Sequence, residues 1–156
     1  MLPSFISRRN PIEDLGLAYS SLEAVKFFSF AKLEDTIGLL HPNWPENVFG
    51  KVGFPKPEFF ILPLLAFCSL FFIKNEEKNK RKYILYFIVL GLLGIFLAKG
   101  TNEPFGVIYL WMFNHIPGFV MFRDPSKWYI LIVISYSMLI PYSISKIYEY
   151  LKSRFN

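Results

Sequence analysis

Chemistry in this chain is concentrated in Phe122-Arg123-Asp124-Pro125-Ser126-Lys127-Trp128, which sets two cations, a helix start and an aromatic ring between two apolar segments. Asp124 has the side chain that caps a helix by accepting from its first free N–H groups, and Pro125 suits the first helical position, where no N–H is required. Arg123 and Lys127 bracket that start, where unpaired N–H groups and the macrodipole already favour an anion. A phosphate or carboxylate is the ligand this grouping would hold. The competing reading is that both cations, beside Trp128 and Tyr129, fix a membrane helix at the headgroup level.

The elements that must position this stretch are membrane helices. The 156 residues are 53% hydrophobic with eighteen Phe, a composition suited to lipid rather than water. Three uncharged apolar runs predict spans at 59–73, 83–98 and 128–145, the first of them short for the roughly 20 residues that cross a bilayer. Pro63 lies near the outer end of the first run. Gly94 and Ala98 form a small-xxx-small pair that would let helices approach closely. The fold class expected is therefore all-α and polytopic, with three transmembrane helices, an external helical and loop region over 1–58, and one interfacial helix within 104–121. The domains are 1–58 and the membrane region 59–156.

Charge sets the predicted sidedness. Lys74 to Lys82 carries five basic against two acidic residues and is assigned to the cytoplasm, as is the tail with Lys146, Lys152 and Arg154. Residues 1–57 and 99–127 are then external in a multi-pass cytoplasmic-membrane protein. The segment 105–121 is apolar enough to suggest a further span, but crossing there would put the basic tail outside. It is read instead as a helix over Pro104 to Phe113, capped by Asn102 and lying in the outer interface, interrupted by Asn114-His115 and Pro117-Gly118.

In the N-terminal region, Asn10-Pro11-Ile12-Glu13 has the form of a capping box, and Ser20-Ser21-Leu22-Glu23 repeats the signal. Leu22, Val25, Phe28 and Leu33 follow at helical spacing, giving an amphipathic segment that lies on a membrane surface or packs on the rest of the protein. The Pro-rich stretch from His41 to Pro57 reads as loop. With no secretory signal ahead of an external region, an upstream span is expected, with further transmembrane helices as partners and this chain as the C-terminal part of a larger protein.

Much chemistry is excluded. Cys68 has no second cysteine to pair with, no His, Cys and carboxylate cluster has metal spacing, and no Walker loop, CxxC pair or His-Glu motif implies a cofactor. Basic residues do not alternate with exposed aromatics as a nucleic-acid groove requires. Glu103 and Asp124 are the carboxylates nearest the turn, but capping occupies Asp124, which argues against a general-base pair.

Pro117-Gly118-Phe119 followed by Phe-Arg-Asp-Pro-Ser-Lys-Trp resembles a turn of large membrane proteins of the GT-C glycosyltransferase superfamily, and is similar to that of the arabinofuranosyltransferases and YfhO-like proteins. Trp128 stands where that turn has Phe. Tyr19-Ser20-Ser21-Leu22-Glu23, Leu40-His41-Pro42 and Phe49-Gly50 resemble an extracytoplasmic loop of the same group. The resemblance implies a polyprenyl-phosphate-linked sugar donor used at the outer face, with Arg123 and Lys127 on the donor phosphate. It further implies Trp44, Tyr109, Trp111 and His115 as sugar or lipid contacts, and a catalytic acid in an early external loop outside this sequence. The alternative is a non-catalytic membrane scaffold or a transporter fragment, with membrane lipids as the partners. The three spans carry no ionisable acid or base, which disfavours an ion-coupled carrier.

Overall fold

The computed structural model describes residues 21–40 and 57–155. The described residues are helical, with no strand among them, and three helices are long and apolar enough to cross a membrane. The chain is thus an all-α membrane protein. Large side chains along these helices point outward, with Leu64 72% and Phe71 82% exposed, which lipid accommodates and water would not.

The first span covers Pro57–Asn75 rather than the fifteen residues of the uncharged run. A 3₁₀ turn at Pro57–Phe60 and another at Ile73–Asn75 extend the α-helical Ile61–Phe72 to 19 residues. Pro63 falls in the first α-helical turn, where N–H groups have no intrahelical partner, so it costs the helix little. The second span, Lys78–Ala98, starts inside the basic run because long cationic side chains remain solvated while their backbone is helical. The last begins as a 3₁₀ turn at Pro125–Trp128 and runs on as an α-helix through Tyr129–Phe155, well past Ser145. It packs against both other spans and lies between them. Their shared core includes Ala66, Ile88, Ile95, Ile132, Tyr136 and Leu139.

At one end of this bundle sits the segment 21–40. Ser21 caps a short helix, Leu22–Phe28, by accepting from the Ala24 N–H at 3.2 Å. Helical periodicity predicts continuation to Leu33, but the chain breaks and restarts as Leu33–Ile37, where Asp35 reaches back to the Lys32 N–H at 2.9 Å. Of the two expectations for this segment, packing on the protein is realised. Val25 is fully buried, Leu33 and Ile37 pack against the core, and Tyr136 of the last span donates to the Ile37 carbonyl at 2.9 Å. Tyr129 likewise donates to the Leu40 carbonyl. The capping box at Asn10, the loop from His41 and Trp44 lie outside the described residues.

The segment 104–121 contains a helix over Gly106–His115, two residues later than expected. Asn102 does not cap it. Its amide donates to the Ser29 and Ala31 carbonyls at 2.7 and 2.8 Å, tying the 21–40 segment to the end of the second span. Phe105 precedes the helix in the left-handed region at φ 65°, and a side chain on Gly106 would collide with the Thr101 carbonyl. Ten residues at 1.5 Å per residue extend about 15 Å, half of what a crossing needs.

Candidate functional site: the turn before the last span

Local capping builds the turn as its residues predict. Asp124 is extended, φ −97° and ψ 102°, its Oδ1 accepts from the Ser126 N–H at 3.0 Å, and Pro125 takes the first helical position. Pro125 is buried under Gly100, whose φ of +60° and closeness to Pro125 and Ser29 exclude a side chain there. The helix start is therefore locked against the end of the second span.

An aromatic clasp holds the other side. Trp128 stacks on Phe122 with ring centroids 4.4 Å apart and on Phe119 at 6.2 Å. Its indole N–H donates to the Tyr109 hydroxyl at 3.2 Å, and that hydroxyl donates to the Phe122 carbonyl at 2.6 Å. Tyr109 is 0% exposed, and its ring meets Phe119 edge-on at 5.2 Å. Burial pushes its pKa up to about 12, which keeps it a neutral donor near pH 7. Suggested by resemblance as a sugar or lipid contact, Tyr109 has no open face for one and instead sets the shape of the turn.

The two cations lie on this fixed backbone. Lys127 is exposed and donates one N–H to the Met121 carbonyl at 2.9 Å, bridging the turn. An ammonium has three donors, so the contact leaves it capacity toward solvent or a ligand. Arg123 is half-buried, with its guanidinium carbon 6.0 Å from the centre of the Phe28 ring. Trp111 and His115 form a separate pair on the Gly106–His115 helix. Their rings stack at 5.0 Å, and His115 Nδ1 lies 2.8 Å from the Trp111 carbonyl, which makes that nitrogen the protonated one. Trp111 follows Tyr109 by two residues, about 200° round the helix, and so faces away from the clasp.

Neither nearby carboxylate is placed as a base. Glu103 accepts from the Phe105 N–H at 3.1 Å and Asp124 from Ser126, so both serve the backbone. Among the described residues no three His, Cys, Asp or Glu side chains group as metal ligands.

Two charged sites were not legible in the sequence. Lys99, at the end of the second span, is only 1% exposed; its ammonium donates to the Asn102 carbonyl at 2.7 Å and lies 4.9 Å from the Phe96 ring. At the opposite end of the bundle, Lys146 pairs with Glu76 at 2.7 Å and Glu149 at 3.1 Å, while Tyr142 donates to Glu76 at 3.1 Å. The Lys146 hydrogen bond holds the Glu76 carboxyl below the usual carboxylate range. This cluster clips the loop between the first two spans to the last helix.

Comparison of the chain with protein-family models, with curated proteins and with solved structures finds no match in any of the three.

Proposed function

We propose that this chain is the membrane-embedded part of a GT-C-like glycosyltransferase, in which Arg123 and Lys127 hold the phosphate of a polyprenyl-linked sugar donor at the outer face. The observation that carries this reading is the immobilised backbone beneath the two cations. Cap, proline and aromatic clasp fix a turn that presents both charges at a helix start, and binding there would require little further ordering. The helix terminus contributes about 0.3–1 kcal/mol toward an anion, and charge-assisted bonds from the planar Arg fork add more. The turn binds and orients; a catalytic acid would come from outside these residues.

A scaffold reading has specific support too. Lys127 already bonds Met121 and Arg123 already lies near Phe28, so both cations contribute to the turn's own structure. Polyprenyl-phosphate binding by the full-length protein separates the two. On the donor reading, Arg123→Lys weakens binding about tenfold although charge is kept, because the bidentate fork is lost. Lys127→Gln weakens it as well. Donor affinity unchanged in both variants, with expression and folding intact, would leave the scaffold reading standing.

The same proposal places the turn outside and the 74–82 loop in the cytoplasm, as the basic-inside bias indicates. Single cysteines at the exposed positions Glu77 and Asn114, in a Cys68→Ser background, should react with an impermeant thiol reagent from opposite sides of sealed vesicles. Reaction of both from one side would refute the arrangement.

A further inference from the structure

Beside Lys99 lies a cavity of about 360 Å³, with walls that are almost wholly apolar and include Leu33, Ile37, Phe67, Leu92, Lys99 and Phe105. The segment 21–40 closes one side and the second span the other. Leu92 and Phe105 are 53% and 66% exposed, so the walls continue onto the lipid-facing surface. Leu92 precedes Lys99 by seven residues of the same helix, and the cavity therefore extends about 10 Å along the span, some two-thirds of one hydrocarbon leaflet. That shape suits an acyl chain entering from the bilayer.

Lys99 gives the cavity a sign. Among the described residues the Asn102 carbonyl is its one hydrogen-bond acceptor, so two of its three N–H groups have none. No carboxylate forms a salt bridge with it among the described residues, since the ion pairs there join Lys146 to Glu76 and Glu149. Glu103 is the acid that acts on it, and its carboxylate caps Phe105 instead. Burial pushes the Lys99 pKa down, with Glu103 opposing. A cation removed from water with one carbonyl and the Phe96 ring beside it but no ion pair among the described residues is costly, and an anion would offset that cost.

We propose that the cavity binds an anionic phospholipid, one acyl chain lying between the 33–37 helix and the second span and the headgroup phosphate paired with Lys99. The lipid supplies both the hydrocarbon that fills the walls and the ion-pair partner that Lys99 lacks among the described residues. Nothing in this depends on Arg123 or Lys127 holding a sugar donor.

Photo-crosslinking of the full chain in nanodiscs tests it. Phosphatidic acid with a diazirine midway along one acyl chain is compared with phosphatidylcholine bearing the same chain, and labelled residues are mapped by mass spectrometry. Phosphatidic acid should label the peptides containing Leu33 to Ile37 and Phe67 about tenfold more than phosphatidylcholine does. Lys99→Met, which keeps the stem and removes the charge, should reduce phosphatidic acid labelling to the phosphatidylcholine level. Leu92→Trp should suppress labelling by both lipids by obstructing the cavity with Lys99 retained. Equal labelling by the two lipids on the unaltered protein, or labelling that Lys99→Met leaves unchanged, would overturn the proposal. Should Lys99→Met fail to fold, the headgroup comparison and Leu92→Trp still decide.

Discussion

Gly94→Leu should destabilise the bundle by the upper part of the roughly 1–3 kcal/mol that overpacking costs, by wedging the last span off the second. A Cβ at Gly94 would sit 2.9 Å from Ile132 Cγ1 and Leu131 Cβ and 3.0 Å from the Ile132 backbone nitrogen. Side chains can rotate away, but backbone cannot, so the helices must separate. One turn earlier the constraint is softer: a Cβ at Gly91 would meet the Ser135 hydroxyl, which donates to the Phe87 carbonyl at 2.7 Å. Gly91→Ala is expected to cost about 1 kcal/mol, the value of the hydrogen bond that Ser135 would surrender by turning aside. Close approach through small residues is a principal source of helix association in lipid, where burial of apolar surface gives little. Reversible unfolding in mixed micelles measures both effects. A Gly94→Leu midpoint equal to that of the parent, or a loss smaller than that of Gly91→Ala, would mean the two spans are not held at this distance.

The sequence shows where a helix lies far better than where it ends, and the reason is visible in particular residues. Apolar runs identify all three spans, since avoidance of charge in lipid is a property of each run alone. Their limits depend on other forces: 3₁₀ turns complete the first span at both ends, and the last continues into its polar tail. Asp124-Pro125 was legible because capping acts over two or three residues. The break at Ser29 was not, since its hydroxyl accepts from the Thr101 N–H, 72 residues away in sequence. Gly94 was visible as half of a small-residue pair with Ala98, whereas the packed surface also uses Gly91, three residues earlier and on the same face. Lys99 gave no signal in the sequence, because its burial is a matter of tertiary packing, with Leu33 and Ile37 from far upstream lining the same cavity.

Tyr109→Phe should loosen the candidate site without touching either cation. The substitution keeps the ring that meets Phe119 and deletes only the hydroxyl, which donates to the Phe122 carbonyl at 2.6 Å and accepts from the Trp128 indole at 3.2 Å. Two polar groups in the clasp then lose their partner, and leaving such groups unsatisfied costs about 1–3 kcal/mol. Trp128→Phe is the informative companion. It installs the residue that the resembling turn carries, removes the indole donor, and leaves the Tyr109 bond to Phe122 in place, so its cost should be the smaller of the two. Amide hydrogen exchange over Arg123 to Trp128 should accelerate in Tyr109→Phe and less in Trp128→Phe, while the Tyr83 to Ala98 amides stay protected in both. If the donor reading of the turn holds, phosphate affinity should follow the same order, because backbone order rather than charge is what these variants change. Exchange and unfolding unaltered in Tyr109→Phe would show that cap and proline alone hold the turn, and would remove the clasp from any account of how Arg123 and Lys127 are presented.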